Sequence, residues 1–373
     1  MKSVRPPVLW TNLLLFVITS TLALVAVPLY GWWHGYDGFE VGLFLFFGAA
    51  SGTAITAGFH RLWSHQAYEA HPLLRLWFAL WGAAALQNSI LNWASDHRRH
   101  HRHVDDPQLD PYSARRGFWF AHIGWMLREY RAQQDDFSNV KDLQKDPIVM
   151  WQHRNYLLLV LLMNVALPAL IGVVHGDLLG SLLLAGVLRL VVVHHFTFFI
   201  NSLAHFWGRQ PYSSDCTARD NAVVALLTFG EGYHNFHHQF QWDYRNGIRW
   251  WQFDPTKWLI RVCAWVGLSR NLKRCSPEKI EQAILQQQFR RSSQQISRLP
   301  DADSHLRRLQ QEYDRLIEMV QAWGESRQRW ADARANQLLQ QWERAQIRRS
   351  CLELRQRLLE QRRDWELLLA RLT

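Results

Sequence analysis

Cysteine is scarce in this sequence of 373 residues. Its four copies, Cys216, Cys263, Cys275 and Cys351, are widely spaced, and no C-x-x-C pair occurs. The sequence therefore indicates neither a disulfide framework nor a cysteine-based zinc site. Scattered thiols of this kind fit a reducing environment that faces the cytosol.

A nucleic-acid-binding motif is also missing. The formal net charge of +10 would suit a polyanionic partner, but the basic residues are spread along the chain and interleaved with acids. No glycine- and aromatic-rich RNA-binding motif occurs. We therefore expect no nucleic-acid partner.

Charged residues are rare in several long apolar runs, which predict an all-α membrane protein. A run of about 20 apolar residues crosses the hydrocarbon layer as an α-helix. The segment 72–91 contains polar residues and is expected to be amphipathic or buried. The first run lacks a short apolar core with a cleavage site, so we expect a retained helix and not a cleaved signal peptide. The four predicted spans are residues 8–30, 39–58, 156–174 and 178–203.

Lysine and arginine are absent from the two short turns between spans, residues 31–38 and 175–177. Residues 60–155 carry twelve of them. By the positive-inside rule, the N-terminus, the region 60–155 and everything after the fourth span should lie in the cytoplasm. The histidine-rich segments described below all fall on that side.

Helix breakers are almost absent from the last part of the chain, where only Pro300 and Gly324 interrupt a long polar stretch. Apolar residues recur there at heptad spacing, which predicts a helical hairpin or coiled coil. The apolar stripe thins between Gly324 and Asn336, which predicts a hinge. We expect a membrane domain at residues 1–275 and a solvated amphipathic helical tail at residues 276–373, with self-association of the tail as the alternative.

Histidine, by contrast, is concentrated in three short boxes. Residues 96–103 hold four histidines in eight positions. The H-x-x-H-H pattern within them puts three imidazoles on one face of an α-helix, where they can aim at one point. The same pattern recurs near residue 234, and a looser H-x-x-x-x-H pair lies near residue 60. The eight box histidines are His60, His65, His97, His100, His101, His234, His237 and His238.

Clustered histidines on one membrane face indicate metal binding. Neutral imidazole is a good ligand for zinc, copper, iron and nickel. Eight histidines are too many for one ion, so two ions sharing the set is the simplest interpretation, whereas ordinary loop histidines would be scattered. A pair of redox metals beside a bilayer predicts oxygen chemistry on an apolar chain. Zinc has no redox chemistry, so a dizinc membrane hydrolase is the rival hypothesis.

The boxes, in this order and context, resemble those of the stearoyl-type Δ9 fatty acyl desaturases of the membrane fatty acid desaturase family. The similarity extends from about residue 53 to residue 268 and includes Asn201-Ser202-Leu203-Ala204-His205. One box alone would also fit a membrane hydroxylase, but the complete set is highly specific. The resemblance implies four transmembrane helices and a cytosolic helical cap that holds a di-iron centre.

The resemblance also implies an activity and a ligand set. The activity is insertion of a cis double bond at carbon 9 of a saturated C16 or C18 acyl-CoA, using dioxygen and two electrons, in unsaturated fatty acid biosynthesis. Asn201 is implied to hold a metal-bound water. The nine implied iron ligands are His60, His65, His97, His100, His101, His205, His234, His237 and His238, of which His205 comes from the resemblance alone.

The substrate-binding residues are likewise implied by position in the family. Ser95, Glu129 and Phe198 stand where animal acyl-CoA relatives tend to have Arg, Lys and Trp, so two cations that would face CoA phosphates are replaced. Nearby arginines can supply the charge, because guanidinium binds phosphate well. We expect acyl-CoA as the substrate, with an acyl glycerolipid as the alternative. The implied substrate-binding residues are Gln87, Asn88, Trp93, Arg128 and Thr197, and the candidate arginines are Arg98, Arg99, Arg102, Arg115, Arg116 and Arg131.

Further roles are predicted for two carboxylates and three histidines. Asp96 and Glu231 are candidates to accept hydrogen bonds from ligand imidazoles and so fix their tautomers. His103 lies just beyond its box and is expected not to be a ligand. His194 and His195, on the fourth span, match no ligand of the family, and we expect a packing or interfacial role for them.

The electron source and the membrane are predicted from composition. No haem-binding or ferredoxin-like domain is visible in the sequence, so we expect electrons from a separate carrier, such as a ferredoxin with a flavoprotein reductase or a small cytochrome. Lysine is scarce beside arginine, which is typical of a GC-rich bacterial genome. The expected location is therefore the bacterial plasma membrane, with the active site on the cytoplasmic side.

Overall fold

The computed structural model describes residues 6–130, 137–336 and 340–372. The chain divides into two compact units, one made of residues 1–210 and 216–274 and the other of residues 211–215 and 275–373. Helices dominate both units. The only sheet in the described residues is one antiparallel pair of two-residue strands, β1 (Glu69–Ala70) and β2 (Ser269–Arg270).

Four helices of the first unit are long and apolar enough to cross a membrane, which confirms the predicted multi-pass all-α fold. The second of them continues six residues past its predicted end at residue 58, because the polar residues that follow are buried in protein, and the other three end within three residues of theirs. Each of the four contains a π-helical stretch. The four helices are α1 (Trp10–Trp33), α2 (Gly38–Ser64), α7 (Tyr156–His175) and α8 (Leu178–Phe206).

Shorter helices complete the first unit and form its cap. The segment 72–91, which was predicted to be amphipathic or buried, contains one helix and the start of another, joined by a turn. The shorter helices are α3 (Pro72–Ala84), α4 (Ile90–His103), α5 (Phe118–His122), α6 (Pro147–Arg154), α9 (Ala222–Leu227), α10 (His234–Gln239) and α11 (Pro255–Trp265). Single 3₁₀ turns lie at Ala114–Arg116, Gly124–Met126, Ser138–Val140 and Leu143–Lys145.

Close contact between α2 and α3 positions the first histidine box. A Cβ added to Gly82 would lie 2.1 Å from the Phe59 ring, and one added to Gly58 would lie 2.7 Å from the Phe78 Cβ. Glycine at both positions therefore lets the two helices approach closely. Phe59 and Phe78 are fully buried in the core of this unit.

The second unit is a bundle of three helices, α12 (Pro277–Ile296), α13 (Ala302–Ala335) and α14 (Gln341–Leu372). Its core contains Leu309, Leu316 and Trp365, which lie on the heptad stripe of the sequence. The predicted hinge between residues 324 and 336 is wrong, because α13 runs unbroken through Gly324 to Ala335. The side chain of Arg327 there pairs with Glu278 of α12 at 2.7 Å.

Candidate metal centre

The first box lies at the end of α2. The last eleven residues of this helix, Ala54–Ser64, are π-helical and all buried, and His65 is the C-cap. A π-helical segment inside a longer helix is often found at a functional site. His60 and His65 both point into a group of five histidines, with their ring centroids 4.8 Å apart.

The second box, on α4, sends its histidines to two groups. His97 and His101 join the group of five, whereas His100 joins a separate group of four. On an α-helix, residues i and i+4 lie about 40° apart, but residue i+3 lies about 60° away on the other side of residue i. The prediction that all three imidazoles aim at one point is therefore wrong.

The third box, on α10, divides in the opposite sense. His234 and His238, spaced i and i+4, belong to the group of four, and His237 belongs to the group of five. Each H-x-x-H-H box thus gives an i, i+4 pair to one group and its middle histidine to the other. His205, which was predicted from the family resemblance alone, completes the group of four.

The two groups are tight and adjacent. In each group the ligand atoms all lie within 4.8 Å of one another. The His101 and His238 rings, one from each group, stack at 4.4 Å between centroids. The five-histidine group is His60, His65, His97, His101 and His237, and the four-histidine group is His100, His205, His234 and His238.

Partners on the outer ring nitrogens set the tautomer of several of these histidines. The Nδ1 atoms of His60 and His100 lie 2.9 Å from carboxylate oxygens of Glu231 and Asp110. A carboxylate accepts the Nδ1 proton, so the Nε2 lone pair is left free to face the centre. Glu231 thus makes the predicted contact with an imidazole of the boxes, His60.

A similar arrangement holds His205. Its Nδ1 lies 2.8 Å from Thr217 Oγ1, which in turn donates to Asp105 Oδ1 at 2.6 Å. Because the hydroxyl proton is committed to Asp105, the Thr217 oxygen accepts from His205. His97 has the Tyr112 hydroxyl 3.2 Å from its Nδ1.

Asp105, Asp110, Tyr112 and Thr217 were missed from the sequence. The available signal was weak. Three of them lie within a short polar stretch directly after the second box, and Asp110 is ten residues beyond His100. Thr217 has no such signal, because only the fold brings it to His205.

Burial keeps six histidines of the centre in the neutral form that binds metals. It lowers the pKa of six imidazoles outside the spanning helices well below its usual value, and neighbouring imidazoles lower it further. A neutral ring is the ligand form of histidine. These six are His65, His97, His101, His234, His237 and His238.

The donor set fits metal ions. The inner Nε2 atoms approach at 3.0 Å between His60 and His237 and at 3.1 Å between His205 and His234. Where the Nδ1 atom of a ring carries the proton, its Nε2 presents a lone pair. Lone pairs that converge in a buried site are stabilised by a cation, and imidazole suits zinc, copper, iron and nickel.

A buried ion-pair network holds Glu231, the carboxylate that contacts Nδ1 of His60 in the first box. Arg61 is 1% exposed, and its Nη2 lies 2.8 Å from Glu231 and 3.1 Å from Asp254. Burial alone would raise the pKa of the Glu231 carboxyl, but Arg61 and His60 outweigh it and lower the pKa. Glu231 therefore remains ionised behind His60.

A cavity of about 460 Å³ leads to the centre. Its wall includes two histidines of each group, His60 and His97 of the five and His100 and His234 of the four. On this wall the Gln87 amide donates to Thr197 Oγ1 at 2.8 Å. Five residues that were predicted to act on substrate or water line this cavity, namely Gln87, Asn88, Trp93, Thr197 and Asn201.

Some predicted residues are engaged elsewhere. Arg128 donates to the Pro6 carbonyl at 2.7 Å, and Asp96 pairs with Arg99 at 3.6 Å. Arg98 forms an ion pair with Asp142 at 2.7 Å.

Three histidines lie outside both groups, and two of the candidate arginines need a separate account. His103, His194 and His195 belong to neither histidine group among the described residues. Arg116 lies over the rings of Phe120 and Tyr130. Arg131, a candidate for phosphate binding, lies outside the described residues.

Comparison with known proteins agrees with this geometry. The sequence profile of the family described as "Fatty acid desaturase" matches residues 38–271. "Acyl-CoA desaturase 1" of Saccharomyces cerevisiae is 42% identical over 297 residues, which are 78% of this chain and 56% of the relative. "Probable acyl-CoA desaturase" of Schizosaccharomyces pombe is 47% identical over 64% of this chain and 50% of the relative.

A shorter animal relative is matched over more of its length. "Stearoyl-CoA desaturase" of Homo sapiens is 37% identical over 73% of this chain and 76% of the relative. The chain spans about half the length of the two yeast relatives. The profile match, these identities and the two histidine groups agree, and the chain belongs to the fatty acid desaturase family.

Proposed function

We propose that the chain is an acyl-CoA desaturase that introduces a cis double bond at carbon 9 of a saturated C16 or C18 acyl chain. The observation that carries the proposal is a pair of adjacent histidine groups on the wall of a cavity built between membrane-spanning helices. The reaction removes two hydrogen atoms from adjacent methylenes. With two electrons and two protons from outside, these reduce dioxygen to two water molecules.

The proposed metals are two iron ions, one for each histidine group. Bound iron supplies the one-electron and oxygen chemistry that removal of hydrogen from an unactivated methylene requires. The five- and four-histidine groups are the proposed ligands, and Asn201 is proposed to hold a water beside the smaller group. Support comes from the donor set, which contains only imidazole nitrogens.

The protein residues position the substrate and exclude water. Trp93 stacks on His97 at 4.8 Å between ring centroids, which gives the cavity an apolar wall next to the five-histidine group. The Gln87–Thr197 hydrogen bond lies on the cavity wall and is proposed to constrain the path of an acyl chain. Such fixed contacts hold a chosen methylene pair near the reactive centre, where orientation lowers the barrier.

The acyl-CoA head group is proposed on the names of the relatives, which are acyl-CoA and stearoyl-CoA desaturases. Ser95 is fully buried, and its hydroxyl donates to Asn139 at 2.9 Å, so this position offers no charge to a phosphate. Arg102 and Arg115 are exposed on the cap and are the proposed substitutes. Binding of substrate by Arg128 stays a prediction.

The electron donor and the membrane belong to the same proposal. We expect a separate redox carrier that docks on the basic cytosolic face. The bacterial plasma membrane stays a prediction from the arginine-rich composition, and the relatives named above, from yeasts and a mammal, do not support it.

Expression in a host that lacks unsaturated fatty acids tests the proposal. Cells are fed isotope-labelled stearate with and without oxygen, and the acyl-CoA and glycerolipid pools are analysed over time. The proposal expects oxygen-dependent cis-9 product that appears first in acyl-CoA. Product that appears first in glycerolipid would favour the acyl-lipid alternative, and a hydroxy acid as main product would favour a membrane hydroxylase.

A further inference from the structure

The helix α3 ends in the interior of the protein, where its last residues are shielded from solvent. Ala83, Ala84 and Ala85 are fully buried. The last carbonyls of any α-helix have no partner within the helix. An unpaired carbonyl is costly in a membrane interior, where irregular backbone is tolerated only if it is buried in protein or lines a cavity.

Two residues of α8 supply the missing donors. Arg189 donates to the Ala84 carbonyl at 2.6 Å, and His194 Nε2 lies 2.9 Å from the Ala85 carbonyl and 3.2 Å from the Leu86 carbonyl. A carbonyl only accepts, so the His194 proton is on Nε2. These two side chains form what we call the carbonyl clamp, and neither belongs to the histidine groups.

Arg189 is an unusual residue at its depth. It is fully buried near the middle of α8, and its other donors reach the Ala185 carbonyl at 2.8 Å and Asn164 Oδ1 at 2.8 Å. No carboxylate lies within ion-pair distance of it in the described part of the chain. An intramembrane cation is costly, so a role for Arg189 is expected.

The clamped backbone carries a residue of the cavity wall. Leu86 and Asn88 have positive φ angles of 51° and 75°, which side-chain-bearing residues rarely adopt. Gln87 lies between them and donates to Thr197. Such strained backbone persists only where its surroundings hold it, and the carbonyl clamp holds it here.

We propose that His194, together with Arg189, is a positioning residue that sets where along the acyl chain the double bond is made. The clamp fixes the loop 85–88, the loop fixes Gln87, and the Gln87–Thr197 bond fixes the path of the chain. His194 also lines the cavity itself, about 10 Å along α8 from Asn201. The inference rests on the proposed desaturase function for its effect on product, but the clamp itself does not depend on that function.

The test compares three variants. His194→Leu removes the donor at similar volume, His194→Gln keeps an N–H donor at similar reach, and His195→Leu is the matched control on the same helix. His195 does not line the cavity and faces His122, with 3.1 Å between ring nitrogens. Should H194L not accumulate in the membrane, His194→Asn, whose shorter amide cannot reach the Leu86 carbonyl, takes its place.

Two readouts separate the clamp from the activity. Hydrogen exchange in the segment 83–89 should rise at least tenfold in H194L and stay near wild type in H194Q and H195L. The proportion of positional isomers in the product from stearate should rise at least tenfold in H194L only, with iron content unchanged. Combining H194L with T197V should add little, because both changes act through Gln87.

Several outcomes would overturn the inference. Wild-type exchange in H194L would show that His194 does not hold the loop. Raised exchange with an unchanged isomer ratio would show that the loop does not set the position of the bond. Equal effects of H194L and H194Q would exclude the donor as the cause. If the wild-type protein made no unsaturated acid, the proposed function would fail, while the exchange experiment would still decide the clamp.

Discussion

The partner of the outer ring nitrogen determines what each histidine of the centre can do. Where Glu231, Asp110 or Thr217 accepts from Nδ1, the Nε2 lone pair points inward and the ring is ready to bind a metal ion. The His103 ring, only two residues past His101, belongs to neither group in the described chain. At this scale, burial and hydrogen-bond partners distinguish the proposed ligands from the other histidines.

The first residue prediction contrasts these two histidines. His101→Ala should abolish desaturation, with at least a hundredfold loss, and lower the iron content, because it removes a ligand from the five-histidine group. His103→Ala should leave both within twofold of wild type. Iron analysis of the purified variants and product analysis in cells measure the contrast. Equal losses in the two variants would contradict the assignment of His101 as a ligand and His103 as a non-ligand.

The second residue prediction concerns Asp110. Asp110→Asn keeps the shape but removes the negative charge beside His100, and loss of such a partner commonly costs ten- to a hundredfold in metal affinity or activity. We expect that loss in iron affinity. Asp106→Asn is the control, because Asp106 lies nearby and accepts from the Gln108 and Leu109 amides. Iron titration of both variants provides the measurement, and equal affinity in the two would contradict the role of Asp110.

Residues of the centre that share a local pattern were predictable from the sequence, and the others were not. Spacing alone found eight of the nine histidines, because H-x-x-H-H is a local pattern. His205 stands alone in the sequence and required the family resemblance. Asp105 and Thr217 could not be found from either, since Asp105 reaches the centre only through Thr217, 112 positions away, and Thr217 meets His205 through a fold of the chain that no local pattern marks.

At the scale of elements, helices that continue beyond their apolar runs build the centre. α2 extends through Arg61 to Ser64 because Glu231 and Asp254 neutralise the buried guanidinium. Apolarity alone predicts a stop at residue 58, since the compensating carboxylates are distant in sequence. The four apolar spans and the helical character of the tail were predictable from local patterns, whereas the end of α2 depends on tertiary contacts.

The third prediction addresses the three-helix unit. Trp365 is 1% exposed in its core and donates to Gln288 at 3.0 Å. Trp365→Ala should destabilise this unit by about 3–5 kcal/mol, as large-to-small core substitutions do. Trp342→Ala, on the same helix but 66% exposed, should change stability by less than about 0.5 kcal/mol.

Protease susceptibility of residues 275–373 in the intact protein compares these two variants. Desaturation should stay within twofold of wild type in both, because we assign no chemistry to this unit. Equal protease resistance in the two variants would contradict the described core.

At the scale of the whole molecule, the four spanning helices and the charge distribution define a topology. The cationic region 60–155 and the histidine groups should share one side of the membrane, and the two short turns should lie on the other. The four apolar helices were predictable from the sequence, because hydropathy is a property of composition, and the sides on which the regions lie stay a prediction. The cavity was not, because its wall combines residues from both ends of the membrane unit.

The fourth prediction tests this topology. In a variant whose native cysteines are replaced, His34→Cys should react with an impermeant thiol reagent added outside intact cells. Gln108→Cys, which is also exposed, should react only after the membrane is permeabilised. Labelling of Gln108→Cys from outside would place the histidine groups on the wrong side.

The central claim is that the two histidine groups hold iron for oxygen-dependent desaturation. The most direct measurement is metal analysis of the purified protein, followed by a single turnover with stearoyl-CoA, a reductant and labelled dioxygen. We predict about two iron ions per chain, cis-9 product and the label recovered in water. Zinc in place of iron, or product formed equally without oxygen, would contradict the claim.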